Sequence, residues 1–126
     1  MRLAVAAACV VVAAFLGARL HDDDRCEDAR RAVYVAVTGG GEAPAGAIER
    51  IRESCRGTAG LISVAGVLHS ARRDAQAAPF AREATEEEPD SAAAWRALAA
   101  TSRDRGEASA AERRANELDP LGAPRR

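Results

Sequence analysis

Apolar residues recur at helical spacing along most of the chain. One stretch places Ala29, Val33 and Val37 on a single helical face, and a later stretch does the same with Ile48 and Ile51. Beyond the first twenty residues there is no alternating run of β-branched residues, which is the pattern of a half-buried strand. The pattern therefore predicts an all-α protein.

The amino-terminal segment is the longest apolar stretch. It carries no charge from Leu3 to Ala18, about 16 residues or roughly 24 Å of helix. We expect an uncleaved signal anchor with Arg2 inside and Asp22–Asp24 outside, so that the rest of the chain is the exported part of a single-pass cell-membrane protein. Two alternatives stay open. One is a secretory signal cleaved after Leu16–Ala18, which would give a secreted protein, and the other is a buried helix of a soluble protein.

Three cysteines divide between two environments. Cys9 lies within the apolar segment, whereas Cys26 and Cys55 follow it. The two helices predicted around the later pair are joined by a glycine-rich loop, and an antiparallel arrangement would bring Cys26 to Cys55. A disulfide there would close a loop of about 30 residues and contribute roughly 3–4 kcal/mol in the loop-entropy treatment; two free buried thiols are the alternative. A metal site is disfavoured because His21 and His69 have no ligand spacing relative to these cysteines.

The second half of the chain repeats one closing signal. The stretch "ATEEEPD" begins at Ala84 and contains Pro89, and "ANELDP" repeats the same spacing with Ala115 and Pro120, 31 residues later. A helix, a short turn and a second helix can be traced back from each proline, which ends the second helix. A helix pair cannot bury its own apolar face, and this explains why the signal recurs where neighbouring pairs would stack.

These two units resemble the tetratricopeptide repeat, whose unit of roughly 34 residues is an antiparallel helix pair followed by a proline. The matching positions of the first unit are Leu61, Val64, Ala65, Leu68, Ala77, Ala81, Ala84 and Pro89. Those of the second unit are Trp95, Leu98, Ala99, Ala108, Ala115 and Leu118–Pro120. The resemblance implies helix hairpins stacked as a short α-solenoid. Pro79 departs from the pattern, so its helix should either begin near Ala78 or kink.

Several residues carry helix-boundary signals. Thr58 and either Asp90 or Ser91 are candidate amino-terminal caps. Gly57 and Gly106 can adopt the left-handed conformation that ends a helix.

The chain is thus expected to comprise four parts. Residues 1–20 form the signal anchor or transmembrane helix, and residues 21–57 form a disulfide-closed hairpin. Residues 58–120 form two tetratricopeptide-like repeats, and residues 121–126 form a disordered tail.

Composition and motifs narrow the function. Charged residues make up 29% of the chain, with a net charge of −1, which disfavours nucleic-acid binding. His69 adjoins Ser70, but neighbours in a helix point about 100° apart and make no catalytic dyad. We therefore expect no enzyme activity, no cofactor and no small-molecule substrate.

The resemblance implies a peptide-binding inner face on the first helix of each unit. The residues expected there as protein or peptide contacts are Ile62, His69, Arg96 and Arg103, with Gly66, Ser70 and Ala100 beside them. Arg96 and Arg103 could hold a carboxylate by paired donors. The function expected is a membrane-anchored, extracytoplasmic scaffold or adaptor. The alternatives are an accessory subunit of a membrane-bound enzyme that handles envelope polysaccharide, and a secreted helical domain.

Overall fold

A computed structural model describes residues 2–55 and 57–122; before Asp24, side chains are described at Ala14, Leu16, Gly17 and His21. Within these ranges the chain is all-α, as predicted, and contains no strand. The helices are α1 (Arg2–Thr38), α2 (Ala45–Ser54), α3 (Ala59–Ser70), α4 (Asp74–Glu87), α5 (Ala92–Thr101) and α6 (Arg105–Leu118), followed by a 3₁₀ turn (Pro120–Gly122).

The first helix is longer than the sequence pattern predicts. Helix α1 continues without a break past Leu20, where a boundary between anchor and hairpin is expected, so a single helix joins the two segments. Among the described residues, no helix has the length and apolar character needed to cross a membrane. Most side chains of residues 2–20 lie outside that set, and the anchor stays a prediction.

The α1–α2 hairpin forms as the apolar spacing predicts. Val33 and Val37 are buried on α1, as is Ile51 on α2. Full burial of such a side chain contributes about 1.5–3 kcal/mol. The predicted disulfide between Cys26 and Cys55 is present, with a Cα–Cα distance of 4.9 Å. Cys55 directly follows α2, whereas Cys26 lies inside α1.

The remaining helices pack in chain order as two further hairpins, α3–α4 and α5–α6. In addition α1 contacts α3, and α3 contacts α5, so the first helices of successive hairpins are neighbours. The second helices present small buried side chains, among them Ala77, Ala84 and Ala115, which let helix backbones approach closely. Trp95 is partly buried against the core, and its indole N–H donates to the Pro89 carbonyl oxygen at 2.7 Å.

The predicted cap of α5 is confirmed, and the prediction for Gly57 is confirmed in part. Ser91 caps α5, because its side chain accepts a hydrogen bond from the Ala94 N–H at 3.3 Å. Gly57 adopts the predicted left-handed conformation, with a φ of +57°, but α2 ends at Ser54, three positions earlier.

Other boundary predictions are wrong in whole or in part. Thr58 occupies the amino-terminal cap position of α3, as predicted, but its side chain makes no capping hydrogen bond to that helix. Gly106 lies inside α6 and does not end α5; α6 begins at Arg105 because Asp104 accepts a hydrogen bond from the Glu107 N–H at 2.8 Å. Pro79 lies inside α4, which begins at Asp74, so the predicted helix start near Ala78 is wrong.

Candidate partner-binding groove

A groove lies between α1 and α3, the first helices of the first two hairpins. It consists of two adjoining cavities of about 290 Å³ and about 740 Å³, and Tyr34, Ser63 and Val67 line both. The other residues that line it are Glu27, Arg30, Arg31, Val33, Val37, Thr38, Gly40, Val64, Gly66, Ser70, Ala71 and Arg73. We call this surface the α1–α3 groove.

The wall on α1 follows from the helical period. Val33 and Val37 face the core, so Tyr34, one position after Val33, is turned about 100° away. The Tyr34 side chain is 55% exposed and contributes an aromatic surface with a hydroxyl group. Arg31 precedes it by three residues, on the same side of the helix.

The wall on α3 is made of small side chains. Ser63, Gly66, Val67 and Ser70 recur at intervals of three and four residues and form one stripe. A Cβ at Gly66 would meet no atom within 4 Å, so the groove is open there. The Ser70 hydroxyl donates to the Gly66 carbonyl oxygen at 2.9 Å, which satisfies that donor within its own helix.

The groove is positively charged although the chain is not. Its lining contains Arg30, Arg31 and Arg73 against one acidic residue, Glu27, so three positive charges minus one give +2, compared with −1 for the whole chain. Arg30 Nη1 lies 3.5 Å from Glu27 Oε2. The Arg73 guanidinium donates to the carbonyl oxygens of Gly41 at 2.7 Å and Gly40. Carbonyl oxygens carry no net charge, so these bonds do not neutralise the positive charge that Arg73 brings to the end of the groove near Gly40.

Two of the predicted contact residues on α3 lie away from this groove. Ile62 is partly buried and packs against the small cluster of Leu61, Ala84 and Ala94. His69 is exposed, with Nδ1 2.7 Å from Asp74 Oδ1. Their predicted neighbours Gly66 and Ser70 do line it.

The two predicted arginines do not share a helical face. Arg103 lies in the turn after α5, which ends at Thr101, so the expected helical spacing between Arg96 and Arg103 is absent. Arg96 already holds a carboxylate of this chain, because its Nη2 donates to Asp119 Oδ2 at 3.0 Å and to the Asp119 carbonyl oxygen. This contact lowers the pKa of Asp119.

The α1 wall was not predicted from the sequence. The predicted contact residues lie on or near the first helices of the two predicted repeats, and α1 belongs to neither of those predicted repeats. The signal that could have identified it is Tyr34, the only tyrosine of the chain, placed one position off a predicted core face.

The groove offers hydroxyl, guanidinium and aromatic groups, and no histidine is among its lining residues. Throughout the described ranges, no three His, Cys, Asp or Glu side chains lie close enough to hold a metal ion.

Comparison with known proteins identifies no relative of this chain. No protein-family model matches the chain, and neither a curated protein nor a solved structure matches it.

Proposed function

We propose that this chain is a membrane-anchored, extracytoplasmic scaffold of tetratricopeptide-like hairpins that holds a peptide segment of a protein partner in the α1–α3 groove. The observation that carries the proposal is an open, positively charged groove between the first helices of two successive hairpins.

Ion pairs between successive second helices support a repeat architecture. Arg52 on α2 binds Glu83 on α4 through two hydrogen bonds, Nε to Oε1 at 3.0 Å and Nη2 to Oε2 at 2.8 Å. Arg82 on α4 binds Glu107 on α6 in the same two-point manner, at 2.6 and 2.8 Å. Each second helix is thus linked to the next by an Arg–Glu pair, as expected if the hairpins stack in one direction.

The groove chemistry indicates the kind of segment it takes. The exposed ring of Tyr34 and the side chain of Val67 offer apolar surface, which favours an apolar residue of the partner. Arg31 beside them favours a carboxylate, because guanidinium and carboxylate form paired hydrogen bonds. We therefore propose a peptide that carries an acidic residue next to an apolar one.

The anchor in this proposal rests on composition. The uncharged stretch from Leu3 to Ala18, with Arg2 before it and Asp22–Asp24 after it, has the charge asymmetry of a segment whose carboxy-terminal side is exported.

Selection from a random displayed peptide library tests the binding function. The full chain in detergent is the bait, and we expect enrichment of peptides that contain an acidic residue beside an apolar one. Arg31→Glu should weaken a selected peptide at least about fivefold, the equivalent of one partly exposed charge pair. The matched control is Arg113→Glu, at an exposed arginine of α6 outside the groove, and it should bind as the parent does.

Three results would contradict the proposal. One is selection of peptides with no acidic preference, and another is equal weakening by both variants. The third is a photo-crosslinkable residue at Tyr34 that joins two copies of this chain, which would show that a second copy fills the groove. Stoichiometric co-purification with a polytopic enzyme, unaffected by Arg31→Glu, would instead support the accessory-subunit alternative.

A further inference from the structure

The α1–α3 groove and the predicted anchor share one helix. Helix α1 is continuous from Arg2 to Thr38, so it includes both the uncharged segment and the residues that form one groove wall. No loop separates the two, so one continuous helix sets both the distance of the groove from the predicted anchor and the direction in which the groove faces.

The groove lies close to the end of the predicted anchor, which comprises residues 1–20. Glu27, its lowest lining residue, follows Leu20 by seven positions, and Thr38, its highest on α1, follows by 18. At 1.5 Å per residue the groove would extend from roughly 10 Å to roughly 27 Å beyond that point. This distance lies within the range of a short juxtamembrane segment of a neighbouring membrane protein.

Four exposed side chains of α1 form one stripe that begins just before the groove and runs along it, and Glu27 within this stripe is paired with Arg30. Asp24, Glu27, Arg31 and Tyr34 are spaced by three, four and three residues, so they lie on one stripe of the helix, and all four are exposed. From the predicted membrane side outward, the stripe reads acidic, acidic, basic and aromatic.

A covalent bond and packing contacts hold α1 to the two helices that follow it. The Cys26–Cys55 disulfide ties α1 to the end of α2 one residue before Glu27, and α1 packs directly on α3. The stripe therefore keeps its orientation relative to the α3 wall.

We infer that the α1–α3 groove binds the juxtamembrane segment of a partner anchored in the same membrane, and binds it in one direction. The partner's basic residue faces Asp24, just before the groove on the predicted membrane side, its acidic residue faces Arg31, and an apolar residue farther out packs on Tyr34. This inference rests on the proposed function and adds to it the location and polarity of the partner.

Lipid-anchored peptides on vesicles that contain the full chain provide the test. One peptide carries, from its lipid anchor outward, a lysine, a glutamate and a leucine at spacings that match the stripe, and a second carries them in reverse order. Both are also made without lipid and titrated against the chain in detergent, with fluorescence energy transfer as the readout. We expect the first anchored peptide to bind at least about fivefold tighter than the reversed one, and the free peptides to show no such difference.

A helix-breaking variant makes the test independent of peptide design. His21 is exposed, at the junction between the uncharged segment and the groove wall. His21→Pro should abolish the directional preference because proline kinks a helix interior, whereas the control His21→Ala should keep it.

The outcomes separate the two proposals. Equal binding of both anchored peptides, with the free peptides still bound, overturns the directional inference and leaves the peptide-binding function standing. Failure of every peptide to bind in either setting overturns both. A preference that survives His21→Pro shows that helix continuity does not set the direction, and this also overturns the inference.

Discussion

Glu88, just past the end of α4, accepts two hydrogen bonds from Thr58, just before the start of α3. The Thr58 backbone N–H donates to Glu88 Oε1 at 3.2 Å, and the Thr58 hydroxyl donates to Oε2 at 3.0 Å. The carboxylate thus lies at the positive end of α3 and satisfies a donor there that has no partner in its own helix. Glu88, the residue before Pro89, therefore links the end of α4 to the start of α3, at the end of the hairpin that has no connecting loop.

Removal of this carboxylate should destabilise the hairpin. We expect Glu88→Ala to lower the free energy of unfolding by about 0.5–2 kcal/mol, the range for loss of a helix cap. Chemical denaturation followed by circular dichroism measures the change. Glu87→Ala is the control, because Glu87 is the exposed neighbour on α4; equal effects of the two variants would show that only net charge matters.

Gly60 allows the start of α3 to approach the end of α2. A Cβ there would lie 2.6 Å from the Cys55 Cβ and 2.7 Å from the Ile51 Cγ2, both buried. Gly60→Ala should therefore lower the free energy of unfolding by about 1–3 kcal/mol, as overpacking of a core does.

Gly66 on the same helix is the matched position, where a Cβ meets nothing within 4 Å. There, replacement by alanine should raise stability by about 0.5–1 kcal/mol, because the unfolded chain loses freedom without a clash. Thermal unfolding of both variants tests the two predictions. A Gly60→Ala protein as stable as the parent would contradict the close packing of α2 against α3.

The buried faces and the disulfide could be predicted because both follow from local spacing. Val33 and Val37 recur one helical turn apart, and a short loop between two helices is enough to bring Cys26 to Cys55. The α1–α3 groove could not be predicted in this way. Which exposed positions of α1 and α3 lie opposite one another depends on how two helices cross, and no local pattern encodes that.

The errors at helix ends have a similar origin. Gly106 has the residue type of a helix terminator, but the Asp104 side chain caps the next helix and the glycine falls inside it. The bond between Glu88 and Thr58 has no local signal in the sequence, because the two residues lie 30 positions apart. In both cases a specific side-chain hydrogen bond, and not the residue type alone, determines the local structure.

The disulfide should account for a large part of the stability of the first hairpin. Its cysteines are 29 residues apart, and closure of such a loop contributes about 3–4 kcal/mol through the unfolded state. The double variant Cys26→Ser with Cys55→Ser should lower the midpoint of urea unfolding accordingly. A reductant should shift the parent protein but not the double variant, and Cys9→Ser, which leaves this pair intact, should respond as the parent does. A reductant-insensitive parent would contradict the prediction.

The Arg82–Glu107 pair should make stability depend on pH. The Glu107 carboxylate accepts hydrogen bonds from the Arg82 guanidinium and from the Ser102 hydroxyl, and these contacts lower the pKa of Glu107 from 4.5 to about 2. Because the unfolded chain takes up this proton at higher pH than the folded chain, the contribution is complete above about pH 4.5 and is lost as the pH falls toward about 2.

The size of this contribution is limited by solvent. The side chains of Arg82 and Glu107 are 46% and 29% exposed, so we expect about 1 kcal/mol or less. Glu107→Gln should be less stable than the parent by that amount at neutral pH, and the two proteins should converge as the pH is lowered through the same window. Urea unfolding at a series of pH values measures this, with Glu112→Gln, at an exposed residue of α6, as the control. A difference between Glu107→Gln and the parent that stays constant down to the acid limit would show that the hydrogen-bonded ion pair is not its cause.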